Sequence, residues 1–272
     1  MTDAEDGHEG PPAGVDAAWQ VLNDDSVLGM CYGGGGTLPF LIIGTSTNDE
    51  SAQPHVLSPP LMESLQSFLP YQISECNFWL KYSLVRDGSS LISLLQHVRG
   101  SVYTILAIET VDGEVFGCFT SAPWRKHWSY FGNGQSFLWR MTCSRANPCK
   151  SVIDQAHMES EIEVFPWTGE NYMVQICRTD LIAVGGGGAL SGAQQPDGSV
   201  YGDEEGFGLA IESDLLRGSS NPCLTFGNPR LSRHGEFFEI VNMEVWALTP
   251  FMTEAEAEKM ELSHLFLENN SQ

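Results

Sequence analysis

The segment from Phe237 to Leu248 carries apolar side chains on both of its alternating faces, with Phe237, Val241 and Val245 on one and Phe238, Ile240 and Trp246 on the other. A strand of that kind needs cover on both sides, so it belongs deep inside a layered fold. The preceding chain supplies the layers. Val102 to Glu109 and Glu114 to Thr120 flank Val111-Asp112-Gly113, and an Asp-Gly between two β-rich runs predicts a hairpin. Further strands are predicted at Ser136 to Thr142, Glu161 to Phe165, Tyr172 to Cys177, Leu181 to Val184 and Gly206 to Glu212. Many short strands joined by Gly- and Asn-rich turns favour two packed antiparallel sheets over a parallel α/β core.

Helices punctuate this pattern. Ser58-Pro59 forms an N-cap followed by proline, after which Leu61, Leu65, Phe68 and Leu69 share a stripe that must stop before Pro70. Phe78, Leu80, Tyr82 and Leu84 then alternate as a half-buried strand does. Asp87 is placed to cap a second helix whose apolar face is Leu91, Leu94, Leu95 and Val98, ending at Gly100. Thr253 and Glu256 make a capping box for a C-terminal helix striped by Leu262, Leu265 and Phe266, which is expected to fold back on the domain. Cys143 to Ser160 and Leu190 to Glu205 read as polar surface loops. The chain thus divides into an acidic, Gly-rich, partly ordered extension (1–56) in which Thr37 to Gly44 is a possible docking strand, a folded domain (57–250), and a C-terminal amphipathic helix and tail (251–272).

Charge narrows the function. The chain has 13 Lys and Arg against 35 Asp and Glu, a net charge of −22. Gripping nucleic-acid phosphates needs clustered cations, and an anionic lipid surface repels such a chain, so neither partner is expected. The apolar run Leu38 to Ile43 is broken by Pro39 and far too short to span a bilayer, so no direct membrane insertion is expected. The acidic, Arg-free residues 1–17 do not resemble a transit peptide, and no signal-peptide core follows a basic start. Seven scattered cysteines without a C-x-x-C pair fit reduced thiols in a cytoplasmic protein.

Candidate chemistry is sparse. Gly185 to Gly188 follows a strand, but no Lys-Ser/Thr and no helix start come after it, so close backbone packing explains the glycines without a ligand. Cys223 lies in a loop rich in hydroxyls, yet no recognisable signature pairs it with a base. Glu244, placed by strict alternation on the face of Phe238, Ile240, Asn242, Trp246 and Leu248, enters an apolar layer. It either acts as a tuned base or pins a loop by accepting backbone N–H bonds. Trp124 to Phe131 interleaves bases with aromatics inside a stretch, Val115 to Ile153, that has five bases and no acid. Trp, Tyr and Arg are the residue types that dominate protein contacts. No histidine spacing encodes a metal site, and no cofactor is expected.

Taken in order, Phe78-Trp79-Leu80-Lys81-Tyr82-Ser83, Asp87-Gly88-Ser89-Ser90-Leu91, Val115-Phe116-Gly117, Trp124, Tyr130-Phe131-Gly132-Asn133-Gly134-Gln135-Ser136-Phe137-Leu138, Gly185 to Gly188, Gly218-Ser219-Ser220, Cys223-Leu224-Thr225-Phe226-Gly227-Asn228 and Glu244-Val245-Trp246 resemble the TLDc domain of the oxidation-resistance proteins. The resemblance spans about residues 57–250. It implies a two-sheet antiparallel β-sandwich flanked by short helices, in agreement with the strand pattern. It also implies a non-enzymatic interaction module that protects against oxidative stress by binding the peripheral sector of the vacuolar-type proton ATPase and influencing its assembly, reaching endolysosomal or vacuolar membranes through that partner. The contact candidates are Trp124, Arg125, Lys126, Trp128, Tyr130, Ser219 and Ser220. Gly88, Phe116, Gly117, Gly132, Gly134, Phe137, Gly186, Gly187, Gly218, Cys223, Thr225, Phe226, Gly227, Asn228, Glu244 and Trp246 are expected to hold the sandwich. The alternative is a redox or hydrolytic enzyme using Cys223 or Glu244.

Overall fold

The computed structural model describes residues 39–45, 54–188 and 206–270, so most of the N-terminal extension and the second insertion lie outside the described residues. In chain order the strands are β1 (Ile42–Ile43), β2 (Asn77–Ser83), β3 (Thr104–Thr110), β4 (Val115–Thr120), β5 (His127–Phe131), β6 (Phe137–Met141), β7 (Ile162–Pro166), β8 (Gln175–Cys177), β9 (Leu181–Val184), β10 (Leu209–Glu212), β11 (Arg217–Ser219) and β12 (Phe237–Thr249). The helices are α1 (Pro59–Gln66), α2 (Leu84–Asp87), α3 (Leu91–His97), α4 (Val152–Ser160) and α5 (Glu254–Asn270).

β12 belongs to two sheets. Its first residues pair with β11, as in Arg217 with Glu239, closing a sheet ordered β5-β8-β9-β10-β11-β12. Its remainder pairs with β3 on one side and β2 on the other, in a sheet ordered β1-β2-β12-β3-β4-β6-β7. All of these strand pairs are antiparallel except β1 with β2. Between the sheets lies one apolar core, with Leu106, Ile108, Phe116 and Leu138 meeting Ile182, Val184, Leu209 and Ile211. A second core covers the opposite face of the β3-bearing sheet, where Leu57, Leu61, Met62 and Leu65 pack over Ile105, Phe119, Trp139 and Trp246. The result is the mainly β sandwich with short helices that the strand pattern predicts, layered as helices, sheet and sheet.

Several local expectations need correction. β12 is not apolar on both faces throughout, because Phe237 is 76% and Val241 55% exposed. Against β3, Ile240 pairs with Thr110 and Asn242 with Glu109, so Val241 is an extra, bulged residue. A one-residue bulge exchanges the faces beyond it. Phe238 and Ile240 therefore share the sandwich core with Met243 and Val245, while Trp246 and Leu248 join the helix-side core. Glu244 accordingly lies with Trp246 and not beside Phe238.

The first insertion is not a plain loop, since its second half is α4, capped by Ser151 accepting from the Asp154 N–H. Its helical signal is hidden because its buried residues, Gln155 and Glu159, are polar. α1 ends at Gln66, leaving Phe68 half exposed. Ser90, not Asp87, caps α3. The Val111-Asp112-Gly113 hairpin and the Thr253–Glu256 pairing form as predicted, the latter with the Glu256 N–H 3.4 Å from Thr253 Oγ1.

Candidate functional site

Three places concentrate the residues singled out by the sequence. The first is a buried polar cluster on the helix side of the sheet. Glu244 has no solvent exposure. One of its oxygens lies 2.9 Å from His55 Nδ1, and the other accepts from the Leu57 backbone N–H at 3.1 Å and the Trp246 indole N–H at 2.9 Å. Beside it, the Arg145 guanidinium donates twice to Glu159 at 2.8 Å, to the Val56 carbonyl at 2.7 Å and to Glu109 at 3.1 Å. Burial pulls the Arg145 pKa down, but the neighbouring Glu159 and Glu109 charges more than offset this and hold it above its ordinary value. The Ser58 hydroxyl donates to Glu159 at 3.1 Å rather than capping α1. These bonds fasten residues 55–58, the lead-in to α1, onto the sheet. Of the two roles open to Glu244 in the sequence, the geometry displays the pinning one. His55, Ser58, Arg145 and Glu159 escape sequence reasoning because their partners lie up to 189 positions away.

The second place is the corner where Gly185 to Gly188 meets the Cys223 loop. Cys223 is 3% exposed, its thiol donates to Asn228 Oδ1 at 3.1 Å, and burial pushes its pKa up. A substrate does not reach such a thiol, and its environment opposes the thiolate. Thr225 Oγ1 donates to Asn171 Oδ1 at 2.7 Å and accepts from the Gly186 N–H at 2.9 Å. A side chain on Gly185 would meet both a backbone at φ +81° and the Cys223 sulfur at 2.7 Å. These glycines are therefore packing devices. Of the remaining motif residues, Phe116, Phe137, Phe226, Asn228 and Trp246 are buried, Gly134 abuts Trp167, Gly218 lies under Phe238, and Gly88 takes the Tyr82 hydroxyl on its carbonyl.

The third place is the basic and aromatic stretch, and here the contact candidates separate. Trp124 is buried and donates its indole N–H to Thr104 Oγ1 at 3.1 Å, so it serves the core and not a partner. Ser220 is fully buried, its hydroxyl bonded to the Gly208 carbonyl at 2.6 Å and to the Leu231 N–H at 2.9 Å, which removes it from any surface. Ser219, in β11, and Tyr130 are half-buried, the latter packed against Ile176, Ala183 and Ala210. Arg125 and Lys126 are exposed, with the Arg125 guanidinium 5.7 Å from the Phe131 ring centre. Trp128 is 80% exposed. Most of this stretch is the edge strand β5, which meets β8 through His127 and Phe131 with a register shift between them. Its pairing partner lies far along the chain, so no local pattern reveals it.

Among the described residues no group of three His, Cys, Asp or Glu side chains is placed to hold a metal, and no helix is long and apolar enough to cross a membrane. What the geometry defines is a layered β-sandwich carrying a buried polar fastening and one exposed cationic, aromatic edge. The chain belongs to the TLDc domain family, whose model matches residues 50–249. It is similar to oxidation resistance protein 1 of Podospora anserina, at 30% identity over 239 residues covering 77% of this chain and 64% of that protein. The protein of the same name from Kluyveromyces lactis is 31% identical over 223 residues, 76% of this chain and 80% of that one. The human protein of that name is 30% identical over 193 residues, which cover 71% of this chain but only 18% of its relative.

Proposed function

We propose that this chain is a non-enzymatic, cytoplasmic interaction module with a role in oxidative stress, acting by docking on the peripheral sector of the vacuolar-type proton ATPase and modulating its assembly. The oxidative-stress role is carried by family membership and by the names of the relatives. The observation that favours docking is the edge formed by Arg125, Lys126 and Trp128. In a chain of net charge −22, these two adjacent cations form no ion pair among the described residues, and an exposed indole stands beside them. A surface of this composition fits an acidic protein partner. The burial of Cys223 and Glu244 supports the non-enzymatic reading. Recruitment to vacuolar or endolysosomal membranes would follow from the partner.

The test is co-purification of peripheral ATPase subunits from native lysate with the tagged chain and with its Arg125→Glu/Lys126→Glu variant. The expected result is capture by the parent and marked loss in the variant. Equal capture by both removes β5 from the reading, and capture by neither removes the ATPase.

A further inference from the structure

We propose that Ser129 is a phosphorylation site for a basophilic protein kinase, and that the phosphate switches off the cationic edge on which docking depends. The residues ahead of the hydroxyl set the kinase class. Kinases select acceptors by charge pattern, and the basophilic ones require cations a few positions N-terminal to the acceptor. Among the described residues only Ser89, Ser129 and Ser220 have a Lys or Arg three positions before them, and no threonine does. Ser220 is fully buried. The Arg86 guanidinium ahead of Ser89 is turned onto Asp87 at 3.0 Å and onto the Gly44 and Lys81 carbonyls at 3.2 Å. Ser129 has Lys126 three positions and Arg125 four positions ahead of it, both exposed, and no acid lies anywhere from Val115 to Ile153.

The backbone makes this hydroxyl available. β5 meets β8 at His127 with Cys177 and at Phe131 with Gln175, so four steps along one strand answer two along the other. The surplus lifts Trp128 to Tyr130 out of register, and Ser129 stands at the middle of that arch, on the outermost strand of its sheet. A kinase cleft has to enclose the acceptor and its flanks, which a residue paired on both sides does not allow. Ser129 is exposed, and its N–H, hydroxyl and carbonyl lie 3.3, 3.1 and 2.7 Å from a single atom, His127 Nδ1. That ring nitrogen either donates or accepts, so it does not satisfy all three, and releasing the hydroxyl gives up no more than one hydrogen bond. Transfer joins Ser129 Oγ to the γ-phosphorus of ATP, breaks the bond from that phosphorus to the β–γ bridging oxygen, releases ADP and passes the hydroxyl proton to the kinase's catalytic carboxylate. The product carries a charge of about −1.5 to −2 at pH 7. Arg125 and Lys126 contribute two positive charges, so the edge falls to near neutrality and its attraction for an acidic partner is lost. The switching role rests on the docking reading above, whereas the modification itself does not.

The experiment treats the full chain with ATP, magnesium and the catalytic subunit of cyclic-AMP-dependent kinase, maps the phosphate by mass spectrometry, and compares capture of peripheral ATPase subunits by the treated and untreated chains. The expected result is phosphate on Ser129, none at this position in Ser129→Ala, and labelling at least about tenfold slower in Arg125→Gln/Lys126→Gln, the worth of one charge-assisted contact with the kinase. Because Ser129 is exposed, its Ala variant should keep the parent melting temperature, which separates loss of the acceptor from unfolding. A chain left unlabelled at Ser129, or a double variant labelled there as fast as the parent, overturns the assignment. Capture by the untreated chain alone supports the switch, and equal capture by both forms overturns it. Capture by neither removes the docking reading and the switch with it, and leaves the phosphorylation site standing.

Discussion

Replacing Arg145 with Ala tests whether the buried polar cluster fastens the start of the domain. The substitution deletes two bonds to Glu159, one to Glu109 and one to the Val56 carbonyl. These losses differ in weight. The Glu109 side chain is 24% exposed and can rehydrate, so its contribution is small. Glu159 has no exposure and keeps the Ser58 hydroxyl, so the variant strands a buried carboxylate. Breaking a buried pair in this way costs about 3–5 kcal/mol, a large share of the roughly 5–15 kcal/mol that holds a typical domain. At about 2–4 °C per kcal/mol for a domain of this size, the melting temperature should fall by roughly 6–20 °C. Urea unfolding followed by tryptophan fluorescence measures the loss, and limited proteolysis within residues 54–58 reports whether that segment is released first. Arg145→Met combined with Glu159→Leu removes both charges and should recover at least half of the deficit, because apolar replacement of a buried pair is often neutral. An Arg145→Ala chain within about 1 kcal/mol of the parent, or a double variant worse than the single one, refutes the reasoning.

Other outcomes follow from the same structure. Trp128→Ala should leave urea stability within about 0.5 kcal/mol, since the ring is 80% exposed, while reducing capture of ATPase subunits. Gly117→Ala should abolish soluble folded protein, because its Cβ would stand 1.8 Å from the Leu106 carbonyl oxygen; Gly235→Ala, whose nearest neighbour is 4.0 Å away, should express as the parent does. The stability of the reduced chain should fall as pH rises above 9. Burial raises Cys118 from 9.0 to about 12 and Cys177 from 9.0 to about 11, so these thiols ionise in the unfolded chain before they can in the folded one. That stabilisation is complete below the unfolded value and is lost as pH climbs through the folded values. Urea midpoints at pH 7, 9 and 10.5 check it, and a flat profile counts against burial as the cause.

Features governed by neighbours in sequence are legible without a structure. The Asp112-Gly113 hairpin, the proline at the start of α1 and the Thr253–Glu256 pairing all arise from contacts within a few residues, and all occur. Features that depend on a distant partner are hidden. β11 is three residues long and exists because Ala210 and Phe237 flank Ser219. α4 buries Glu159 because Arg145 and Ser58, the latter 101 positions away, complete its bonding. The C-terminal helix packs through residues outside its predicted stripe for the same reason, since Leu262 and Phe266 are exposed and only Leu265 is half-buried. Ala257 is buried and Glu261 pairs with Lys81 at 2.7 Å, while Leu262 remains 65% exposed.

The position of Glu244 shows how one irregularity connects architecture to chemistry. Strict alternation from Phe238 puts its carboxylate in the row of Ile240, a placement that invites a catalytic reading. The bulge at Val241 changes that row. A strand that serves two sheets must bend between them, and bulges are the usual means of bending it. Val241 absorbs the bend, and its side chain is left exposed. Everything beyond it exchanges faces, so Glu244 leaves the sandwich interior and reaches His55 and the Leu57 amide. The acidic residue in an apolar strand is thus explained by the sheet crossover, which turns it toward the segment it holds.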